Sequence, residues 1–134
     1  MTEGKNARTE KPKTEKGKGT ILIVDDEPSI RLVLKEFLSS KGFVAHAVSL
    51  AEEALEILNN LEVDLVITNI WMPGMNGLEF TRLIRNRYHS EVIILTGYHS
   101  YTVEEATKIG AWNLIHKPAK LQDLLESINR VLDK

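Results

Sequence analysis

Short apolar runs along this chain alternate with stretches in which apolar residues recur every three or four positions. The first run is ILIV at 21–24. Pro28 then suits a first helical turn, and Ile30, Val33, Leu34, Phe37 and Leu38 repeat at helical spacing. Gly42 stands where that helix should end, because a left-handed terminal residue is easiest for glycine. FVAHAV at 43–48 reads as a second strand. Ser49 with Glu52 is expected to form a capping box ahead of a stripe of Ala51, Ala54, Leu55 and Leu58. DLVIT at 64–68 is a third strand, ending at Asn69, and after Pro73 and Gly74 a helix presents Leu78, Phe80, Leu83 and Ile84. VIIL at 92–95 is a fourth strand, leading into Thr96 and Gly97. A weaker helix spans about 101–109, with Val103, Ala106 and Ile109. NLIH at 113–116 is the fifth strand, and the last helix carries Leu121, Leu124, Leu125, Ile128 and Leu132.

Five strand–helix units in succession imply a parallel sheet covered by helices on both faces. ILIV and VIIL show no polar alternation, as expected of strands buried on two sides. Right-handed crossovers then favour a doubly wound α/β sandwich of flavodoxin-like type, (βα)5, with strand order 2-1-3-4-5.

Composition narrows this picture. At 134 residues there is room for one ordinary domain, and 43% hydrophobic with 27% charged residues is average for a globular protein. The absence of cysteine removes disulfides and cysteine-type zinc sites. No apolar run approaches the ~18 residues needed to span a bilayer, and no secretory h-region follows the N-terminus. A cytoplasmic protein without a membrane partner is the default. The net charge of −2 conceals a split: residues 1–19 carry +3 and residues 20–134 carry −5. The first segment has little to bury and is expected to be a disordered basic tail, leaving 20–134 as the folded domain. Its lysines are interleaved with glutamates, so no direct nucleic-acid partner is expected.

In an open α/β sheet, ligands bind beyond the carboxyl ends of the strands. Asp25 and Asp26 follow the first strand, Asn69 the third, Thr96 the fourth and Lys117 the fifth. Glu27, next in line, is set aside. Two adjacent carboxylates, Asp25 and Asp26, with the nearby carbonyl-type oxygen of Asn69 suit a hard divalent cation such as Mg2+. A lysine and a hydroxyl opposite it would hold a tetrahedral anion, most simply a phosphoryl group. Taken singly, each residue has an ordinary structural reading: helix cap, turn or strand end. Their joint placement carries the inference.

ILIVDDEPSIR, DLVITNIWMPGMNGLEF, ILTGY and GAWNLIHKP, in that order and spacing, make residues 20–133 resemble the receiver domain of two-component response regulators. The resemblance implies a non-enzymatic switch that takes a phosphoryl group from a sensor histidine kinase onto an aspartate. It implies Mg2+ held directly by Asp26, through water by Asp25, and by the Trp71 carbonyl. Lys117 would pair with the phosphoryl group. Thr96 would turn toward it and report to the face formed by the fourth helix, fifth strand and fifth helix, where an effector domain or a second copy would dock.

Two positions depart from the family pattern. Asn69 stands where the phosphoacceptor aspartate belongs. Attack on phosphorus needs an anionic oxygen, which an amide does not supply, so this chain is expected not to be phosphorylated. Removing that charge should also weaken Mg2+ at the site, and Lys117 would face an amide. Leu114 occupies the place of the rotating aromatic and has no ring to turn. Three origins of Asn69 stand open: an introduced Asp→Asn change or recent loss, a natural pseudo-receiver that signals by binding alone, or a surviving acceptor such as Asp25. Tyr98, Tyr101 and Trp112 are expected near the output face, as core packing or as interface anchors. His46, His89, His99 and His116 show no metal-ligand spacing. A nucleotide enzyme is disfavoured, since Asp25-Asp26-Glu27 stands where a glycine-rich phosphate loop would be. The chain ends at Lys134, near the end of the last helix, so it is either a stand-alone receiver or one whose effector lies beyond.

Overall fold

In the computed structural model, which describes residues 18–133, the five apolar runs pair as parallel strands in one sheet. They are β1 (Thr20–Val24), β2 (Val44–Val48), β3 (Leu65–Thr68), β4 (Glu91–Thr96) and β5 (Asn113–His116), in the order β2-β1-β3-β4-β5. The helices are α1 (Pro28–Ser40), α2 (Ala51–Asn60), α3 (Gly77–Arg87), α4 (Val103–Lys108) and α5 (Leu121–Leu132). The flavodoxin-like order predicted from the sequence is therefore the observed one. Register puts Val24 beside both Val48 and Thr68, so the carboxyl ends of β1 and β3 finish level.

The absence of polar alternation has its cause in two separate cores. Leu22, Val24, Val66 and Ile94 pack with Ala54, Leu58, Phe80, Ile84 and Ala106, from α2, α3 and α4. Ile21, Ile23, Leu65, Ile67 and Ile93 pack on the other face with Leu34, Leu38, Leu124 and Ile128, from α1 and α5. Successive side chains of a strand point to opposite faces, so both parities must be apolar.

Three sequence expectations shift by a residue or a face. Ser49 and Glu52 do not form the α2 cap: Leu50 is the N-cap, and Glu53 accepts from the N–H groups of Leu50 (3.2 Å) and Ser49 (3.1 Å). The helix starts one residue later than the sequence motif suggested, so the carboxylate that reaches back is also one later. Val33 of α1 is 46% exposed, because the sheet and α5 cover a stripe centred on Leu34 and Leu38. The third concerns the tail. Residues 1–17 lie outside the described residues, but Lys18 and Gly19 already belong to the fold: the Lys18 N–H donates to Gly42 O (3.1 Å), and the Val44 N–H donates to Gly19 O (2.9 Å). Gly42 ends α1 with φ +99°, and Phe43 N–H reaches back to Leu38 O, as expected of a glycine-terminated helix.

His46 on edge strand β2 has a buried Nε2 with no hydrogen-bond partner. Burial, helped by the charge of Lys35, holds its pKa below the ordinary 6.5. The unfolded chain therefore takes up this proton first as the solution is acidified. Stability is expected to be unaffected by this group above pH 6.5 and to fall as pH drops through and below that value. Thermal melts of the parent and His46→Val between neutral and mildly acidic pH check this: the variant should lose less stability.

Candidate functional site

The carboxyl edge of the sheet gathers the residues singled out at the strand ends. Asp25 follows β1 and is only 2% exposed, a depth at which an ionised carboxylate needs partners. It has them. Lys117 Nζ donates to its Oδ2 at 2.9 Å, and the Glu27 N–H donates to its Oδ1 at 2.9 Å. Arg31 reaches back from α1 and donates to the Asp25 carbonyl at 2.8 Å. Asp26, by contrast, is exposed.

Lys117 has a second carboxylate. Its Nζ also donates to Glu27 Oε1 at 3.0 Å, so the ammonium sits between Asp25 and Glu27 rather than on Asn69. The predicted pairing of Lys117 with the amide is not what forms, because two anions outcompete a neutral acceptor. Glu27, set aside in the sequence, is therefore part of the site. Here its extended backbone (φ −88°, ψ 116°) lies at the N-cap of α1, and its side chain makes no cap bond. No local sequence signal announces the contact, since it depends on how the backbone turns ahead of α1. Burial pushes the Lys117 pKa down, but hydrogen bonds and charge from Asp25 and Glu27 outweigh it and raise the net value. A raised lysine pKa contributes stability that is complete below the unfolded value of 10.5 and is lost as pH rises through the folded value. Lys117→Met should abolish that alkaline loss, as read by melts on either side of pH 10.5.

Asn69 extends from β3 into the loop before α3. Its own N–H donates to Val24 O at 3.1 Å, tying it to β1. The side chain is satisfied on both ends: Oδ1 accepts from the Ile70 N–H at 2.8 Å, and Nδ2 donates to the Trp71 carbonyl at 3.3 Å. An N–H facing Oδ1 and a carbonyl facing Nδ2 fix the amide's orientation, since the reverse would set like against like twice. Farther along the edge, Thr96 is fully buried, and its Oγ1 accepts from the Tyr98 N–H at 3.0 Å. Lys117 N–H donates to Thr96 O at 2.7 Å, which joins the ends of β4 and β5, and the Lys117–Pro118 peptide is cis. Leu114 is buried in the core.

The aromatic residues divide. Trp71 and Tyr98, 46% and 50% exposed, meet edge to face with centroids 5.5 Å apart, bridging the loops after β3 and β4 at the mouth of the site. Tyr101 packs against the core, and exposed Trp112 lies at the start of β5, away from this edge. His99 and His116 stack at 4.7 Å, a contact that the spacing of histidines did not announce.

The donor set has the chemistry of a hard-cation site: two carboxylates on consecutive residues and a main-chain carbonyl, all oxygen. Among the described residues, no three His, Cys, Asp or Glu side chains group closely enough to hold a metal by themselves. Asp25, Asp26 and the Trp71 carbonyl are the oxygens that would be offered to Mg2+ here.

A doubly wound sheet whose switch in strand order carries an acidic pair and a clamped lysine, in place of a glycine-rich loop after β1, departs from the dinucleotide-binding pattern. The chain belongs to the response regulator receiver domain family, whose model matches residues 21–129. It is 36% identical over 114 residues to protein PetR of Rhodobacter capsulatus, covering 84% of this chain and 48% of that protein. It is 31% identical over 117 residues to the DNA-binding transcriptional regulator NtrC of Proteus hauseri, covering 86% of this chain and 25% of that protein. The chain thus spans from a quarter to about half the length of these relatives. The response regulator TrrA of Thermotoga maritima, solved in complex with Mg2+-BeF, superposes with a TM-score of 0.77 at 35% identity over 84% of this chain and 98% of that one. Among the described residues, no helix is long and apolar enough to cross a membrane.

Proposed function

We propose that this receiver is held in its unphosphorylated form, because Asn69 stands at the phosphoacceptor position. The observation that carries the reading is the placement of Asn69 at the end of β3, level with Asp25 and bonded to Val24 O. Its Oδ1 is neutral and already accepts the Ile70 N–H, so it offers no anionic oxygen to phosphorus. Bound Mg2+, held by Asp26, Asp25 and the Trp71 carbonyl, would neutralise charge on phosphoryl oxygens, and the neutral Asn69 weakens its hold. Lys117 would leave Glu27 to pair with the incoming anion. Thr96 would exchange the Tyr98 N–H for it, with buried Leu114 leaving room rather than turning a ring. The donor in this reading is the phosphohistidine of a sensor kinase. The output is a change on the α4–β5–α5 face, read by an effector domain or a second copy of the chain. The domain works as a switch in the cytoplasm and not as an enzyme.

The test is acetyl phosphate with Mg2+, followed by intact mass. Asn69→Asp should gain one phosphoryl group and the parent none. A variant that gains nothing while Asp25 and Asp26 are intact overturns the reading. A second reading, a binding module indifferent to phosphorylation, draws support from the pocket being satisfied by its own side chains. It requires equal affinity of the parent and Asn69→Asp for one partner, with and without phosphodonor.

A further inference from the structure

We infer that the Asn69 side-chain amide acts as a built-in substitute for the cation, bracing the loop after β3 so that the pocket keeps its shape without Mg2+. The inference rests on the reading of this edge as a receiver pocket, and extends it to how this chain's pocket is stabilised. Mg2+ in such a site would draw the end of β3 and the Trp71 carbonyl toward one positive centre. In this chain the Nδ2–H of Asn69 already supplies a positive end to that carbonyl, at 3.3 Å. Oδ1, fixed by the Ile70 N–H at 2.8 Å, prevents the amide from turning over to offer its oxygen to a cation instead. The loop is further closed by the Gly77 N–H on Ile70 O at 2.7 Å, so residues 71–76 hang from a fixed neck.

The remaining charges are arranged to the same end. Lys117 spans Asp25 Oδ2 and Glu27 Oε1, and the Glu27 N–H takes Asp25 Oδ1. Both Asp25 oxygens are therefore engaged, and exposed Asp26 is the carboxylate left facing solvent. A cation entering this pocket must compete with an N–H dipole at the carbonyl and with an ammonium at Asp25. The weakness of Mg2+ in this chain then has two separable causes, a missing charge and a competing donor. A missing charge alone predicts that any neutral residue at position 69 behaves alike. A competing donor predicts that removing the amide, without adding charge, improves binding.

The experiment titrates MgCl2 alone into the full chain carrying Trp112→Phe, which leaves Trp71 as the one tryptophan of the two in the sequence. Trp71 fluorescence reports the loop. Asn69→Ala should bind Mg2+ about three- to tenfold more tightly than the parent, the factor that matches one ordinary net hydrogen bond. Asn69→Asp, which removes the donor and adds charge, should bind more tightly still. Binding by Asn69→Ala that equals or falls below the parent's overturns the inference. Should Asn69→Ala fail to fold, the parent itself decides. In its 15N-resolved spectrum the Asn69 side-chain NH2 signals should shift along the same Mg2+ titration curve as Trp71, and a titrating Trp71 with unmoved NH2 signals overturns the inference. The two readings fail separately. If Asn69→Asp gains affinity for Mg2+ but no phosphoryl group, the proposed function falls and the amide brace stands. If it accepts phosphoryl while Asn69→Ala is unchanged in Mg2+ affinity, the reverse holds.

Discussion

Gly77→Ala will destabilise this fold by about 3 kcal/mol or more, a large share of the margin by which a domain of this size is stable. A Cβ at this position would lie 2.1 Å from the Asn69 carbonyl oxygen and 2.8 Å from Ile70 Cα. Both are backbone atoms, so no side chain can swing aside. Relief requires moving either the start of α3 or the end of β3. Moving α3 breaks the 2.7 Å bond from the Gly77 N–H to Ile70 O and pulls buried Phe80 and Ile84 from the core. Moving β3 shifts Asn69 against Asp25. Denaturant unfolding of the parent and Gly77→Ala gives the difference directly. A loss below about 1 kcal/mol would mean that the close approach relaxes cheaply. A substitution in the helix thus also tests the site, since the same contact holds Asn69 in place.

On the proposed reading, Asn69→Asp is expected to turn a chain that takes no phosphoryl group into one that accepts it. The change is nearly isosteric, so the Ile70 N–H still has its acceptor. What changes is charge. The new carboxylate oxygen can attack phosphorus, breaking the P–O bond to acetate in acetyl phosphate or the P–N bond to a kinase histidine, while Lys117 shifts to the incoming anion. The same change leaves the Trp71 carbonyl without its donor and gives the pocket a second buried carboxylate beside Asp25. The expected contrast between parent and variant is between none and some, larger than any tuning of an existing rate. A second substitution, Asp26→Asn, made with Asn69→Asp, should suppress the adduct, which separates pocket chemistry from stray acylation elsewhere.

That the sheet is covered on both faces could be read from the sequence because both cores leave their mark on a strand such as β1: Ile21 and Ile23 face one, Leu22 and Val24 the other. Asp25, Asn69, Thr96 and Lys117 could be found for the same reason, since each directly follows or ends an apolar run and topology alone brings those ends together. Contacts that depend on where a loop turns could not be found. Glu27 joins Lys117 only because its backbone is extended at the N-cap of α1, which local sequence does not distinguish from a residue capping the helix. The Trp71–Tyr98 and His99–His116 pairs join positions far apart in sequence, and periodicity carries no information about such contacts. Val33 and the α2 cap mark a smaller limit. A stripe one residue wider than the covered face, or a helix beginning one residue later, leaves the sequence pattern unchanged.

Thr96 Oγ1 holds the Tyr98 amide, and the Tyr98 ring rests on Trp71, whose own carbonyl is held by Asn69. These three contacts are links in series between the ends of β3 and β4. A hydroxyl that turns away from Tyr98 therefore slackens a chain whose far end is Asn69, and a change at Asn69 tugs on Thr96 through the ring pair. The two loops at the mouth of the site are thus joined through a single aromatic contact, the place to cut if the ends of β3 and β4 are to be uncoupled.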